Sequence, residues 1–280
     1  MKIIRTAEDI RTYRASLRNR NLQTGFIPTM GALHRGHISL VKTALEITDV
    51  AIVSIFINPT QFNDPDDLKK YPRTLDKDLK ILEENKVDAV FVPGVREIYP
   101  QPDKRQFHFG DLENVMEGRH RPGHFNGVAQ VVSILFDMID PDKAFFGQKD
   151  FQQLAIIRKL VKMLNLRTEI IACPVIREKN GLAMSSRNQL LSGEDREVAR
   201  LIYETLKEVI QKKDELSPPD LAEWGKQRIN AHPKLEVEYF EIVNTSDLQS
   251  VSEWEKGRTD IACTAVKINN VRLIDNMIFP

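Results

Sequence analysis

Two histidines stand three residues apart where the chain changes character. His34 and His37 lie in the stretch FIPTMGALHRGHISLV, in which an apolar run is followed by two glycines and then by apolar residues at helical spacing. An imidazole can change its charge near neutral pH and can donate or accept a hydrogen bond. The pair therefore suggests either half of a metal site or a device that handles phosphate groups at a helix start.

A metal site is the weaker of these two interpretations. An HxxH pair needs one or two further ligands, and Cys173 and Cys263 form no CxxC pair. The remaining histidines show no zinc-like spacing; they are His108, His120, His124 and His232. The sequence therefore predicts no metal site built by the protein.

The residues around the two histidines favour phosphate binding. Gly31 and Gly36 permit a tight turn and let a ligand approach the main chain. The N–H groups at a helix start attract anions, and imidazole donors would stabilise negative charge developing on a reacting phosphate. The chain contains no GxxxxGKS, GxxxxGKT or GxGxxG, so this segment is neither a P-loop nor a dinucleotide fingerprint.

Two further segments place polar side chains next to predicted elements. FINPTQFN follows a buried apolar run, so Asn58 and Gln61 would lie at the carboxyl end of a strand, although Asn58 is also typical of a simple turn. GQKDFQQL places Lys149 before a helix, where an ammonium suits a polyphosphate. Asp150 and Gln153 have the spacing of a helix-capping pair, which is a structural alternative for them.

Other polar segments leave structural and functional interpretations open. MSSRN is either a polar connector or a lid over a triphosphate. RHRPGHFNG places Arg119, Arg121 and His124 before a helix, either as a solvated basic loop or as groups that close over a substrate. Four carboxylates of LDKDLKILEEN are predicted to form a solvated helix face and are given no role; they are Asp76, Asp78, Glu83 and Glu84.

The elements that must position these residues alternate between strand and helix. Strands are predicted at GFIPT, DVAIVSIFI, VDAVFVP, KAFFG and TEIIACPVI, with helical patterns between them. This alternation predicts an α/β fold with a doubly wound parallel sheet, which binds ligands at the carboxyl ends of its strands. We expect a Rossmann-like domain over residues 1–176 and a smaller α+β domain over residues 177–280, with a cleft at the join.

Composition restricts the class of protein. The 280 residues include 40 basic and 40 acidic side chains, and a formal net charge of zero argues against a nucleic-acid or membrane-surface protein. The beginning lacks a signal-peptide pattern, and the apolar runs are shorter than the roughly 20 residues of a membrane helix. A cytoplasmic protein without nucleic-acid or membrane partners is expected.

Several motifs together resemble one known family. His34-Arg35-Gly36-His37 resembles the HxGH signature of adenylate-forming nucleotidyltransferases, and the longer PTMGALHRGH resembles the pantothenate synthetase family. Five more blocks resemble that family in the expected order: FINPTQFN, YPRTLDKDL, RPGHFNGVAQVV, GQKDFQQL and MSSRN. Asn63 departs from the glycine that family members often carry, which affects only the local loop shape.

The resemblance implies a reaction and roles for individual residues. It implies ATP-dependent condensation of (R)-pantoate with β-alanine to pantothenate, AMP and pyrophosphate through a pantoyl-adenylate, by a homodimer that uses ATP with Mg²⁺. His34, His37 and Lys149 would be catalytic, with His37 as a proton donor. Gln61 would bind pantoate and β-alanine, and Gln153 would bind pantoate. The implied ATP-binding residues are Met30, Gly31, Ala32, Leu33, His34, Arg35, Gly36, His37, Gly147, Gln148, Lys149, Asp150, Ile176, Met184, Ser185, Ser186 and Arg187.

Two rival functions are consistent with the motif alone. One is an HxGH enzyme that transfers AMP onto a phosphate group, which would need a basic pocket for a second phosphate. The other is a nucleotide-binding module without catalysis. The neutral side chains of Gln61 and Gln153 favour an uncharged, hydroxylated substrate over a second phosphate.

Overall fold

The computed structural model describes residues 1–63 and 65–280. The strands are β1 Lys2–Ile4, β2 Thr24–Thr29, β3 Val50–Ile55, β4 Ala89–Phe91, β5 Lys143–Gly147, β6 Glu169–Cys173, β7 Leu235–Asn244, β8 Asp260–Ile268 and β9 Val271–Ile278. The α-helices are α1 Ala7–Asn19, α2 Arg35–Ile47, α3 Pro65–Lys70, α4 Leu75–Glu84, α5 Val95–Ile98, α6 Met116–His120, α7 His124–Ile139, α8 Phe151–Met163, α9 Gly193–Gln211 and α10 Pro218–Asn230. Short 3₁₀ helices lie at Pro59–Gln61, Gly110–Glu113, Gln148–Asp150 and Ser186–Leu190.

The first six strands form one parallel sheet in the order β1-β4-β3-β2-β5-β6. Strand β2 pairs with β3 along its whole length, but it pairs with β5 only at Gly25 and Phe26. The carboxyl ends of β2 and β5 are therefore not joined, and a crevice opens where the strand order reverses. Doubly wound sheets bind ligands at such a switch point. The predicted doubly wound parallel sheet is confirmed.

Helices cover both faces of this sheet, which explains why its strands are apolar without alternation. Phe26 and Ile52 belong to a core that includes buried residues of α1, α7 and α8. Their chain neighbours Ile27 and Val53 belong to a second core, with buried residues of α2 and α4. Successive strand residues point to opposite faces. Both faces of the central strands are thus withdrawn from water.

The C-terminal region is a smaller α+β unit, as predicted. Strands β7, β8 and β9 form an antiparallel sheet, and α9 and α10 share a core with it. Ser192 caps α9, because its Oγ accepts from the Asp195 N–H at 3.0 Å. Helix α10 begins with proline after its cap Ser217, as the SPPD pattern predicts.

A further apolar cluster joins the two regions. Met116 of α6 and Phe151 of α8 pack in it with Tyr239, Ile261 and Cys263 of the C-terminal sheet. This cluster lies close to the carboxyl end of β5, because α8 follows the turn after that strand. The C-terminal sheet is therefore in contact with the elements that border the switch point.

In residues 1–63 and 65–280, no helix is both long enough and apolar enough to cross a membrane. Strand β1 and helix α1 were not predicted from the sequence. Strand β1 has only three residues, too few to show a period, and it is held at the edge of the sheet by pairing with β4.

Candidate active site

A cavity of about 230 Å³ opens at the carboxyl ends of β2 and β5. Most residues predicted for the site line it; these are Met30, His34, Gly36, His37, Gln61, Gly147, Lys149, Asp150, Gln153, Ile176, Met184, Ser185, Ser186 and Arg187. Phe56, Tyr71 and Val131 are among its apolar walls. Polar groups from distant parts of the chain are thus brought to one apolar crevice, the usual composition of a small-molecule site.

Five of the predicted residues are not among the described residues that line the cavity: Gly31, Ala32, Leu33, Arg35 and Gln148. Gly31, Ala32 and Leu33 are buried in the loop between β2 and α2, whereas Arg35 is exposed. Contact with ATP stays a prediction for these five residues and for those that line the cavity.

Asp78 of α4 holds the loop that leads to the histidines. Its carboxylate is 1 % exposed and accepts hydrogen bonds from the backbone N–H groups of Ala32 and Leu33, at 2.9 and 2.8 Å. The Thr74 hydroxyl adds a third, at 3.1 Å. The prediction of a solvated face is therefore wrong for Asp78, because the helix pattern does not reveal a loop more than forty residues earlier. The other three carboxylates of that helix are exposed as predicted: Asp76, Glu83 and Glu84.

Gly31 has a specific steric reason to be glycine in this loop. Its φ is +81°, and a Cβ there would lie 3.1 Å from both Asp78 Oδ2 and Ile55 Cγ2. A side chain would thus strain the backbone and crowd the carboxylate that holds the loop.

The two histidines cap helix α2 for each other. His34 Nδ1 accepts from the Gly36 N–H at 3.1 Å, and His37 Nδ1 accepts from the His34 N–H at 3.3 Å. Because each Nδ1 accepts, the proton of each neutral ring lies on Nε2. A Cβ on Gly36 would lie 2.8 Å from His34 Cε1, so the glycine makes room for this arrangement.

Both imidazoles are neutral near pH 7. Burial, assisted by the charge of Lys149, lowers the pKa of His34 to about 4. Burial, assisted by His34 and Lys149, also lowers the pKa of His37 well below its usual value. The two rings therefore present Nε2–H donors and carry no charge of their own. A polyphosphate would raise both pKa values on binding, because an anion favours the imidazolium.

Lys149 lies on the other side of the switch point, in the 3₁₀ turn between β5 and α8. Its Nζ is 3.5 Å from Asp150 Oδ1. Within the described residues, the Asp150 side chain makes no capping hydrogen bond at α8, so the structure does not support the capping alternative for Asp150 and Gln153. Both residues instead line the cavity.

Asn276 of β9 is a site residue that sequence reasoning missed. Its Nδ2 donates to the backbone carbonyls of Gln148 and Lys149, at 2.9 and 2.8 Å. The C-terminal sheet thereby holds the turn that carries Lys149. No local signal marks this asparagine, since its partners lie 128 and 127 residues earlier.

Gln61 is held on both sides of its amide. Its Oε1 accepts from Asn58 Nδ2 at 3.2 Å, and its Nε2 lies 3.1 Å from Met30 Sδ. Asn58 is 1 % exposed, donates to the Gly127 carbonyl at 3.1 Å and accepts from the Tyr99 hydroxyl at 2.9 Å. The role of Asn58, left open by the sequence, is to fix the turn and the amide of Gln61.

The basic segment before α7 is only partly solvated. His124 is 6 % exposed, its Nδ1 lies 2.8 Å from the Gln61 carbonyl, and its Nε2 lies 3.1 Å from Arg121 Nη1. Arg119 remains 58 % exposed beside Glu241. The solvated-loop alternative thus describes Arg119, whereas Arg121 and His124 belong to a bonded chain that ends at Gln61.

The MSSRN segment covers the cavity from the C-terminal side. Ser186 Oγ donates to the Ala32 carbonyl at 3.0 Å. Arg187 Nη2 donates to Asp67 Oδ2 of α3 at 2.9 Å, and the guanidinium borders the cavity. The segment is therefore docked onto the loop before α2 and onto α3 rather than forming a free connector.

The HxGH motif and Lys149 thus lie on the two sides of the switch point of a doubly wound parallel sheet, an arrangement suited to a polyphosphate. The sequence model of the family described as Pantoate-beta-alanine ligase matches residues 2–278, and the chain belongs to that family.

Relatives match along the full length. Pantothenate synthetase of Porphyromonas gingivalis is 48 % identical over 277 residues, which is 99 % of each chain, and that of Azobacteroides pseudotrichonymphae is 50 % identical over all 280 residues. Pantothenate synthetase from Thermus thermophilus has a TM-score of 0.92 at 37 % identity, with both chains fully covered. Pantoate-beta-alanine ligase from Francisella tularensis, in complex with beta-gamma ATP and beta-alanine, has a TM-score of 0.85 at 38 % identity, covering 99 % of this chain and 97 % of that one. The family resemblance and fold class predicted from the sequence are confirmed.

Proposed function

We propose that the protein uses ATP to condense (R)-pantoate with β-alanine, giving pantothenate, AMP and pyrophosphate through a pantoyl-adenylate. The observation that carries the proposal is the switch-point cavity, which gathers His34, His37 and Lys149 with the neutral amides of Gln61 and Gln153. Membership of the family supports the reaction, and the ATP and β-alanine in the Francisella tularensis relative support the substrates.

ATP would bind with its phosphates between the start of α2 and the turn before α8. The Nε2–H groups of His34 and His37 would donate to phosphate oxygens, and the positive end of the α2 dipole would add to the attraction for an anion. The Lys149 ammonium would offset charge on the leaving pyrophosphate. Arg187 would exchange its Asp67 partner for phosphate when residues 184–187 close over the nucleotide.

The chemistry follows from the poor leaving group of a carboxylate. An amine cannot usefully displace oxide, so a pantoate carboxylate oxygen first attacks the α-phosphorus of ATP and pyrophosphate departs. The β-alanine amine then attacks the adenylate carbonyl, and AMP departs as the new amide bond forms. Gln61 and Gln153 would hold pantoate, with Gln61 also beside the incoming amine. Positioning and exclusion of water protect the intermediate from hydrolysis.

Mg²⁺ would enter with ATP. Among the described residues, no group of three or more histidine, cysteine, aspartate or glutamate side chains could hold a metal ion. We assign the metal no separate step; bound to ATP, it would neutralise phosphate charge. We extend the proposal to a cytoplasmic homodimer in which residues 1–176 bind ATP and pantoate and residues 177–280 cover them, as the family resemblance implies.

The test is pantoate-dependent exchange of labelled pyrophosphate into ATP, without β-alanine. Reversible adenylation predicts exchange that requires pantoate and Mg²⁺, and adding β-alanine should then yield pantothenate and AMP. His37→Asn keeps an acceptor for the His34 N–H but lacks the Nε2–H, so exchange should fall by about a hundredfold or more in a folded protein. Absence of product from the complete mixture would refute the substrate assignment. Near-normal exchange by His37→Asn would refute the role of that imidazole.

A further inference from the structure

Helix α6 carries a buried carboxylate that links the C-terminal sheet to the site. Glu117 is 7 % exposed and accepts two hydrogen bonds from the Arg272 guanidinium of β9, both at 2.7 Å, and one from the Tyr239 hydroxyl at 2.9 Å. Arg121 Nη1 lies 3.5 Å from Glu117 Oε2. Burial alone would raise the pKa of Glu117, but Arg272, with Arg121 and Tyr239, lowers it to about 2. Glu117 is thus a permanent anion between two guanidinium groups.

From Arg121, the chain of hydrogen bonds continues to His124 and then to Gln61, and each donor in it is fixed. A backbone carbonyl only accepts, so His124 Nδ1 must donate its proton to the Gln61 carbonyl. The lone pair of that ring is then on Nε2, where the Arg121 guanidinium, which only donates, meets it at 3.1 Å. Burial, with the charge of Arg121, lowers the pKa of His124 to about 4, so the ring keeps this single-proton form at neutral pH.

This chain of hydrogen bonds ends at the turn that sets the orientation of the Gln61 side-chain amide. His124 holds the Gln61 backbone, whereas Asn58 and Met30 contact its side chain. A Cβ on Gly127 of α7 would lie 2.4 Å from the Thr60 carbonyl oxygen, so the turn is also pressed against the start of that helix. Small movements of His124 are therefore transmitted to Gln61, because the turn has little room to absorb them.

We propose that Glu117 is a positioning residue for the acid and amine substrates: anchored to β9 through Arg272, it orients Arg121 and His124 and thereby fixes Gln61. The C-terminal sheet thus contributes to binding pantoate and β-alanine without touching them. This inference rests on the role proposed above for Gln61. His34 and His37 lie on α2 and do not border the small cavity that Glu117, Arg121 and His124 line, so ATP binding should respond less than binding of pantoate and β-alanine.

The test is steady-state kinetics of Glu117→Gln, with Glu238→Gln as the matched control. Glu238 of β7 also accepts from Arg272, at 2.8 Å, so its loss weakens the same arginine but leaves Glu117 and Arg121 in place. Glu117→Gln should raise KM for pantoate and β-alanine by about tenfold and leave KM for ATP within about twofold. Glu238→Gln should leave all three within about twofold. In a His124→Asn background, Glu117→Gln should add almost nothing, because residues acting in one chain are not additive.

If Glu117→Gln does not fold, Arg121→Gln tests the inference instead. It removes the guanidinium between Glu117 and His124, whereas the hydrogen bonds between Glu117 and Arg272 remain. It should give the same split between the KM values. Wild-type KM values for a folded Glu117→Gln or Arg121→Gln protein, or effects of Glu117→Gln and His124→Asn that multiply, would overturn the inference. Gln61→Ala separates the two proposals: if it is impaired while Glu117→Gln is normal, only the positioning role fails. If Gln61→Ala is itself normal, the role of Gln61 fails and the positioning role fails with it.

Discussion

At the scale of single residues, each of the two histidines uses one ring nitrogen to hold the start of α2 and leaves the other available to a ligand. Serine, threonine or aspartate usually cap a helix start, but here an imidazole Nδ1 does so at both positions, which leaves Nε2–H as the group available to a ligand. Their burial beside Lys149 removes their own charge. Uncharged donors suit a site where negative charge arrives with the substrate and grows during attack.

This burial predicts a pH dependence of stability that His34→Asn should reduce. An unfolded histidine, with a pKa near 6.5, binds a proton at about pH 5, whereas folded His34, with a pKa of about 4, does not. Protons therefore favour the unfolded state, and the free energy of unfolding falls as the pH drops below about 6.5. His34 accounts for about 2 kcal/mol of this fall between about pH 7.5 and pH 5. Asparagine can still accept from the Gly36 N–H, so urea unfolding of the variant should show a fall smaller by about that amount.

His108→Asn is the control for this measurement. Its imidazole is 84 % exposed, so its replacement should change the free energy of unfolding by less than about 0.5 kcal/mol. An equal fall in His34→Asn and wild type would contradict the neutral form of His34.

At the scale of elements, the site depends on how one helix holds the loop before another. Helix α2 presents the histidines, but the loop that sets its direction is tied to α4 by the two backbone hydrogen bonds to Asp78. A carboxylate can accept from both N–H groups with its two oxygens, and glycine at position 31 leaves space for it. The contact between α4 and the loop before α2, rather than α2 alone, thus sets where the imidazoles lie.

Asp78→Asn should therefore lower both stability and activity. Asparagine replaces one acceptor oxygen by a donor amide, which leaves a buried backbone N–H unpaired at a cost of about 2 kcal/mol. Urea unfolding should show that loss, and the pyrophosphate exchange rate should fall with it. Asp76→Asn, on the exposed face of the same helix, should change the free energy of unfolding by less than about 0.5 kcal/mol. Similar small changes in both variants would show that Asp78 does not hold the loop.

At the scale of the whole molecule, the C-terminal sheet reaches the site at two points. Asn276 holds the turn that carries Lys149, and Arg272 holds Glu117 next to the chain that leads to Gln61. The bidentate pair of Arg177 with the buried Asp275, at 2.6 and 3.0 Å, lies beside the first of these contacts. The smaller region therefore supports both sides of the cavity, as well as covering it with residues 184–187.

Asn276→Ala should weaken ATP binding while the fold persists. It removes two hydrogen bonds to the Lys149 turn, each worth about 1 kcal/mol, which corresponds to an increase in KM for ATP of about tenfold or more. The KM values for pantoate and β-alanine should change less, because Gln61 is held by other residues. A circular dichroism spectrum like that of the wild type would show that folding is intact. An unchanged KM for ATP would mean that Lys149 does not need this support.

The sequence by itself determined most of the strands and helices, their order along the chain and the identity of the motif. The spacing of apolar residues depends on whether one or both faces of a strand or helix are buried. GFIPT, DVAIVSIFI and the helical patterns between them therefore predict a doubly wound sheet from local information alone. The family resemblance implied that the HxGH segment and Lys149 both bind ATP, and the predicted sheet implied ligands at the carboxyl ends of its strands. These predictions rest on periods and neighbours within a few residues.

Only the tertiary structure decided which polar side chains are buried and what they hold. Asp78 reads as one of several exposed carboxylates, Asp150 reads as a helix cap, and Asn276 carries no signal at all. Each acquires its partners, or loses the expected one, through packing between elements that are distant in the chain. A buried polar group must be paired, but the sequence does not state with which residue, because that choice is made by the three-dimensional contacts of the folded chain.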